Sequence, residues 1–284
     1  MAIKDYLLIT GVSTGIGYAA AADLAGAGYH VFGSVRSQAD ADRLQREIPA
    51  NFTPLVFDVT DEVGVETAVA TITQTIQPYG LTALINNAGI STPGPLQHMP
   101  LDEFRYQFEV NLFGLLHITQ QCLPLLGARP SPGHPPGRII NISSVSGQIA
   151  YPFMGAYAAS KHALEAMSDS LRRELLLLGY GIEVILIEPG TVQTPIVGKF
   201  GEQIAQYMAT GYGPILQNVA QEAAEREDKA LPVTAVTRII RQSLESKRPH
   251  TRYPIPRQWL TGWLLPRWLP DRWFDRLIRR KLEK

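Results

Sequence analysis

The stretch Tyr6-Leu-Leu-Ile-Thr10-Gly11-Val-Ser-Thr-Gly15-Ile-Gly17 decides the fold of this chain. Its first five residues are a short apolar run that predicts a buried strand, and residues 18–25 predict a helix after the glycines. Strand, glycine turn and helix open a dinucleotide-binding fold, because glycines let the backbone approach a pyrophosphate and the helix N-terminus supplies N–H donors. The spacing is Gly-x-x-x-Gly-x-Gly rather than Gly-x-Gly-x-x-Gly, so a glycine-rich connection without a ligand is the alternative.

The composition describes an ordinary globular protein. The chain has 284 residues, of which 45% are hydrophobic and 18% charged, and its formal net charge is zero. A neutral chain has no general attraction to nucleic acid, so we expect no nucleic-acid partner. The single cysteine, Cys122, excludes an internal disulfide and fits a reducing compartment. With no apolar run long enough to span a bilayer and no signal-peptide pattern at the start, we expect a cytoplasmic protein.

Strand-like and helix-like segments alternate along the chain. Six further runs predict strands, at residues 29–35, 52–57, 81–85, 138–142, 182–187 and near 253–256. Helices are predicted at residues 39–47, 63–76, 101–126, 157–178 and 234–245. This order predicts an α/β, doubly wound (Rossmann) fold, with a mostly parallel seven-stranded sheet and helices on both faces. We assign residues 1–256 to this domain and residues 257–284 to a separate tail.

The end of the second predicted strand indicates which dinucleotide is bound. The residue that meets the adenosine ribose should follow that strand, about 20 residues beyond the glycines. An acidic residue there would favour NAD, but this chain has Arg36 and Ser37. A guanidinium would bind a 2′-phosphate, so we predict NADP(H) in preference to NAD(H), and no metal. The alternative is an ordinary surface arginine at a strand end.

Two later turns are also candidates for cofactor contact. Asp58, followed by Val59, ends the third predicted strand, where its carboxylate can accept a hydrogen bond from an adenine amino group. The alternative is an N-cap for the next helix, a role that Thr60 or Asp61 could also take. The small residues and asparagines at 86–89 would let the turn after the fourth strand pass beside a bound cofactor.

Asn111 lies inside the helical pattern at 101–126, where asparagine is unfavourable. One interpretation is a buried amide that bonds a neighbouring loop. The functional interpretation is a local helix distortion that holds a water next to Lys161.

The chemistry is predicted to centre on Tyr157 and Lys161, which lie four residues apart on one face of a helix. A phenol has an ordinary pKa near 10, and a neighbouring ammonium should lower this pKa toward the range of a general acid/base. Ser144, at the end of the fifth predicted strand, would bind the substrate oxygen, although serines there are also common turn residues. His162 lies about 100° round the helix from Lys161 and is interpreted as a packing or surface residue.

These motifs, taken in order, resemble the short-chain dehydrogenase/reductase family. The resemblance covers residues 5–194 and is carried by Thr10-Gly-x-x-x-Gly-Ile-Gly17, Asn86-Asn-Ala-Gly89, Asn111, Ser144, Tyr157-x-x-x-Lys161 and Pro189-Gly190. Residues 152–157, 171–175 and 187–190 are most similar to the retinol and hydroxysteroid dehydrogenase subgroup. The resemblance also implies a homodimer.

The same resemblance implies roles for individual residues. Tyr157 would be the general acid/base, Lys161 would also bind the nicotinamide ribose, Ser144 would position the substrate oxygen, and Asn111 would support a water relay. The implied cofactor contacts are Gly11, Ser13, Thr14, Gly15, Ile16, Gly17, Arg36, Ser37, Asp58, Val59, Asn87, Ala88, Gly89, Tyr157, Lys161, Pro189, Gly190, Val192 and Thr194.

The last third should set substrate choice. Residues 195–230 are expected to form a lid, in which Phe200, Tyr207, Met208 and Tyr212 either favour an apolar substrate or simply pack. The proline- and glycine-rich loop at 127–137 is longer than the family leads us to expect and should lie on the surface, away from the catalytic end of the sheet. The tail contains all four tryptophans and an excess of arginine, so it could contact a membrane interface or dock on protein.

We therefore expect an NADP(H)-dependent oxidoreductase that interconverts a lipophilic alcohol, such as a retinoid or steroid, and its carbonyl compound. The alternative is a catalytically silent NADP(H)-binding scaffold or sensor. In either case the tail could make the protein peripheral to a membrane.

Overall fold

A computed structural model describes residues 5–48, 50–128, 135–227 and 230–282, except for the side chains of 196–197 and 224–227. Its strands form one sheet in the order β3-β2-β1-β4-β5-β6-β7, and every neighbouring pair is parallel. The strands are β1 Tyr6–Ile9, β2 His30–Val35, β3 Phe52–Val56, β4 Ala83–Asn86, β5 Arg138–Ile142, β6 Glu183–Pro189 and β7 Arg252–Ile255. The predicted doubly wound fold is confirmed, and the sheet is parallel throughout rather than mostly parallel.

Helices cover both faces of the sheet and explain why its strands are almost uniformly apolar. On one face the buried residues Leu24, Leu44 and Ile240 pack in a single core, and on the other Ile72, Ile118 and Leu175 do so. The main helices are α1 Gly15–Gly26, α2 Gln38–Glu47, α3 Glu62–Ile76, α4 Leu101–Phe108, α5 Gly114–Cys122, α6 Gly155–Leu177 and α10 Val233–Glu245.

The predicted helix at 101–126 is interrupted in its middle. A π-helical turn, Glu109–Phe113, separates α4 from α5, and a 3-10 turn, Leu123–Leu126, ends the segment. The distortion expected around Asn111 is therefore present. Most of the loop at 127–137 lies outside the described residues, but Gly137 lies beside Leu81 O, at the amino end of the sheet. That end is opposite to the one where the polar residues gather.

The segment after β6 folds into short helices, α7 Pro195–Gly198, α8 Phe200–Ile204 and α9 Gly213–Glu227. The tail contains α11 Leu265–Trp268 and α12 Asp271–Leu282, preceded by a π-helical turn in which Trp263 is buried beneath the Arg267 guanidinium. Within the described ranges, none of the helices has both the length and the apolar character required to cross a bilayer.

Candidate active site

A cavity of about 420 Å³ runs along the carboxyl ends of β1 to β6. This is the edge at which open α/β sheets bind their ligands. Most of the predicted site residues line it, namely Gly11, Ser13, Thr14, Gly15, Ile16, Arg36, Asp58, Val59, Asn87, Ala88, Gly89, Ser144, Tyr157, Lys161, Pro189, Gly190, Val192 and Thr194. Three predicted residues, Gly17, Ser37 and Asn111, are not part of the wall, and each has a different local role.

The glycine turn after β1 needs its glycines for two separate reasons. Gly11 and Gly15 have φ angles of +69° and +61°, a region that side chains disfavour. Gly17 instead provides room, because a Cβ there would overlap Gly11 O and Asn87 Nδ2. Gly17 thus allows Gly11 and Asn87 to pack closely against the helix start, and it does not line the cavity itself.

Asn87 fixes the glycine turn to the end of β4. Its Nδ2 donates hydrogen bonds of 2.9 Å to both Thr10 O and Gly11 O, and its backbone N–H donates to Thr10 Oγ1. On the outer side, Arg43 donates a 2.7 Å hydrogen bond to Ser13 O, a contact that the sequence did not indicate. The floor of the cavity is therefore held rigidly from both sides.

The end of the cavity near β2 and β3 carries the charged candidates. Arg36 is exposed at the wall, whereas Ser37 caps α2 by accepting a 3.2 Å hydrogen bond from Asp40 N. Asp58 lines the wall, and its Oδ1 accepts hydrogen bonds from Thr60 N and Thr60 Oγ1 at 2.9 and 2.8 Å. The carboxylate is thus oriented by its own turn and does not cap α3.

The opposite end is closed by the chain that follows β6. Gly190 N donates a 3.0 Å hydrogen bond to Ile255 O, Val192 pairs with Leu231 in a short parallel bridge, and the Thr194 methyl approaches Gly15. Residues 189–194 thus link the end of β7, at Ile255, to the glycine turn at Gly15.

These residues fit a nicotinamide dinucleotide. The left-handed glycines at 11 and 15 open the backbone for a pyrophosphate, and Arg36 and the Tyr157–Lys161 pair lie along the same cavity wall. At Gly89 a Cβ would come within 3.3 Å of Asn111 Oδ1 and 3.9 Å of Lys161 Nζ, so the glycine leaves room in front of the lysine. The dinucleotide, when bound, would supply or accept a hydride there.

Tyr157, Lys161 and Ser144 converge where α6 passes the end of β5. Lys161 Nζ lies 5.8 Å from the centre of the Tyr157 ring and donates a 2.8 Å hydrogen bond to Ile142 O. Ser144 is buried, and its Oγ accepts a 3.0 Å hydrogen bond from Ser146 N. The three side chains predicted to carry the chemistry therefore meet in one place.

The predicted direction of the Tyr157 pKa shift is wrong. Burial raises this pKa above its ordinary value, and the interaction of the phenol with the Ser144 hydroxyl only partly opposes this effect. Burial also lowers the pKa of Lys161 to about 8, an effect that the Glu165 carboxylate partly opposes. At neutral pH the Tyr157 phenol is therefore protonated and able to donate a proton, and the Lys161 amine is still mainly in its charged form.

Sequence reasoning missed a buried charge network behind Lys161. Glu165 lies one further helical turn along α6, and its Oε2 is 3.0 Å from Arg252 Nε, which is also 3.4 Å from Glu188 Oε1. Burial, reinforced by the nearby Glu165 charge, raises the pKa of Glu188 to about 8. The four-residue spacing from Lys161 to Glu165 was the available signal, but nothing local in the sequence joins α6 to β7.

Asn111 is a buried amide that bonds a neighbouring loop, as the first interpretation expected, whereas its role in holding a water next to Lys161 stays a prediction. It lies within the π-helical turn and is fully buried. Its Oδ1 accepts a 2.9 Å hydrogen bond from Ile90 N, and its Nδ2 donates to Ile90 O and to Ser160 Oγ. It thus ties the loop after β4 to α6, next to Lys161. His162, by contrast, is exposed and its Nδ1 lies 2.8 Å from Ala158 O, as expected of a surface residue.

A second cavity, of about 260 Å³, adjoins the first and shares Ser91, Ser144, Tyr157, Gly190 and Gln203 with it. Of the four lid residues singled out above, Phe200 lines this cavity, whereas Tyr207 is buried with Ile204 and Leu216 and packs the lid. Met208 and Tyr212 also pack against that cluster. The tail supplies part of the wall through Ile278, Lys281 and Leu282, so this part of it docks on the domain, which is one of the two alternatives left open for it above.

A cavity that runs from a glycine turn to a half-buried tyrosine and a buried lysine and serine, at the carboxyl ends of a parallel sheet, defines an oxidoreductase of the Rossmann class. The chain belongs to the short-chain dehydrogenase family, whose model matches residues 5–205.

Named relatives agree with this assignment. The chain is 40% identical over 279 residues to an NADPH-dependent 3-dehydrocapnine reductase of Ornithobacterium rhinotracheale, covering 98% of both proteins. It is 31% identical to mouse retinol dehydrogenase 16, covering 87% of this chain and 79% of that one. Among solved structures, a short-chain dehydrogenase from Streptomyces avermitilis superimposes with a TM-score of 0.72 and 26% identity, covering 89% and 88% of the two chains.

Proposed function

We propose that this enzyme uses NADP(H) to interconvert a lipophilic primary or secondary alcohol and its aldehyde or ketone. The observation that carries the proposal is that Ser144 and Tyr157 line both cavities. A substrate in the second cavity would place its oxygen between these two hydroxyls, next to a cofactor in the first. The apolar side chains of Met154, Phe200 and Ile278 in the second cavity support a lipophilic substrate.

In the direction of reduction, the roles of the side chains follow from their positions. Ser144 donates a hydrogen bond to the carbonyl oxygen and holds it in place. Tyr157, which burial keeps protonated, donates the proton that the oxygen needs as it becomes an alcohol. Lys161 lies behind the phenol and stabilises the charge that remains on it.

The preference for NADP(H) rests on Arg36, which is exposed at the cavity wall where no acidic residue follows β2. A guanidinium binds a phosphate in a bidentate manner, whereas a carboxylate in its place would repel the 2′-phosphate. The name of the NADPH-dependent relative from Ornithobacterium rhinotracheale supports this choice.

The test is a turnover assay of the purified full chain with NADPH and NADH against retinal, steroid ketones and medium-chain carbonyls. We expect NADPH oxidation with at least one apolar carbonyl, and a loss of about 10²–10⁴-fold in turnover in Tyr157→Phe. Undiminished turnover in Tyr157→Phe would overturn the mechanism. NADPH binding without turnover of any carbonyl would favour the catalytically silent scaffold or sensor.

We also propose that residues 1–256 are the catalytic domain, that 195–230 are its lid, and that the tail at 257–284 has a second use at a membrane surface. The side chains of Trp259, Trp268 and Trp273 are 60%, 80% and 62% exposed. Exposed aromatic residues with nearby arginines suit a lipid interface.

Flotation with anionic and neutral liposomes tests this surface, comparing the natural chain with the double variant Trp268→Ser/Trp273→Ser. We expect the natural chain to float with anionic vesicles and the variant to remain in the bottom fraction of the gradient. The remaining proposal, a homodimer, is checked by light scattering of the purified protein.

A further inference from the structure

The C-terminal helix α12 forms one wall of the second cavity. Ile278, Lys281 and Leu282 line it from the tail, while Ser144 and Tyr157 line it from the catalytic side. A substrate bound there would therefore touch the last described turn of the chain as well as the reacting groups.

Contacts with Tyr151 and with α9 hold α12 in this position. The Phe274 ring lies 6.1 Å from the Tyr151 ring in an edge-on arrangement. Asn218 Nδ2, on α9, donates a 3.1 Å hydrogen bond to Leu282 O. Lys281 Nζ lies 3.0 Å from Glu222 Oε2, also on α9. The tail and the lid are thus fastened to each other directly over the cavity.

The ion pair gives this cavity a chemical character that differs from a plain hydrophobic pocket. Lys281 and Glu222 are the charged residues among the described residues that line it, and the others are apolar or neutral. The Glu222 side chain is 26% exposed, so it is partly withdrawn from water. A group with one charge would pair with one member of the ion pair and meet repulsion from the other. A ligand that carries both charges can pair with both members and leave neither unmatched.

Accordingly, and building on the proposed function, we infer that the substrate is an amphipathic carbonyl compound or alcohol with a zwitterionic head group. Glu222 binds the ammonium of this head group, and Lys281 binds its oxyanion, which is a carboxylate, phosphonate, phosphate or sulfonate. The apolar residues Met154, Phe200 and Ile278 contact the adjoining hydrocarbon. A volume of about 260 Å³ suits the head group and the first carbons of such a molecule.

Four ketones of one chain length test this inference. The first carries an amino group and a phosphonate, the second has the amine acetylated, the third lacks the phosphonate, and the fourth is neutral. We expect kcat/KM for the zwitterionic ketone to exceed the other three by about tenfold or more, as charge-assisted hydrogen bonds would give. Most of this difference should appear in KM, because the charges lie away from the reacting carbonyl.

Variants of the ion pair separate recognition from structure. Lys281→Met should remove the advantage conferred by the phosphonate, and Glu222→Gln the advantage conferred by the free amine, so in both variants the ratio of kcat/KM for the zwitterionic ketone to kcat/KM for the neutral ketone should fall toward one. Lys281→Arg should retain the advantage. Arg280→Met, an exposed neighbour outside the cavity wall, is the matched control and should behave like the natural chain.

Two results would overturn the inference while leaving the proposed function in place. One is equal kcat/KM for the four ketones. The other is a Lys281→Met variant that loses activity equally on the zwitterionic and neutral ketones, since the ion pair would then only anchor α12. If none of the four ketones is turned over with either cofactor, the proposed function fails too.

Discussion

Lys161 Nζ donates a 2.8 Å hydrogen bond to Ile142 O, and this bond fixes the ammonium 5.8 Å from the centre of the Tyr157 ring. The Ile142 carbonyl, at the end of β5, thus determines the position of the Lys161 ammonium on α6. Because β5 also carries Ser144 just beyond Ile142, one strand positions both partners of the phenol. The catalytic geometry therefore depends on the packing of α6 against β5.

Glu165 should control the pH range of catalysis through Lys161. Its charge raises the Lys161 pKa, which burial lowers to about 8. In Glu165→Gln this support is lost, so the Lys161 pKa should fall further and the alkaline limb of kcat/KM should move to lower pH by several tenths of a unit or more. The measurement is the pH profile of kcat/KM. Asp169→Asn, which also removes a partner of Arg252, should not move it.

Arg36 should determine which dinucleotide the enzyme prefers. In Arg36→Asp the 2′-phosphate would lose a cation and meet a like charge, so kcat/KM for NADPH should fall by about 10–100-fold. The value for NADH should stay the same or rise. Arg46→Asp, on the exposed side of α2 and outside the cavity, is the control for a general charge effect. If NADPH and NADH respond alike to Arg36→Asp, the assignment of the phosphate to Arg36 is wrong.

Gly17 should be intolerant of a side chain although it does not line the cavity. In Gly17→Ala the added Cβ would overlap Gly11 O and Asn87 Nδ2, so the glycine turn must shift. We expect a loss of about 1–3 kcal/mol in the free energy of unfolding, measured by denaturant titration. Gly26→Ala, near the end of the same helix, has open space around it and should be neutral or slightly stabilising.

The sequence was sufficient for the parts of the site that depend on local pattern. Apolar runs with glycine punctuation predicted the sheet, and the position of each polar residue at a strand end predicted its place in the cavity, as for Ser144 and Asp58. Contacts between distant segments were not accessible in this way. The ion pair of Lys281 with Glu222 joins residues 59 positions apart and depends on how the tail folds back. The predicted direction of the Tyr157 pKa shift was also wrong, because that direction depends on burial rather than on the four-residue spacing to Lys161.

Glu188 should make the enzyme less stable as the pH rises. Its pKa is raised from 4.5 to about 8 in the folded chain, so between these values the folded state holds a proton that the unfolded state has released. The free energy of unfolding must therefore fall with increasing pH across this window. In Glu188→Gln the fall should be smaller between pH 5 and 8 by at least about 1.4 kcal/mol, the equivalent of one pKa unit. Denaturant titrations at several pH values measure this slope.

Glu183→Gln, exposed on the same strand, should keep the natural slope. A Glu188→Gln slope parallel to that of the natural chain would show that Arg252 keeps Glu188 ionised throughout.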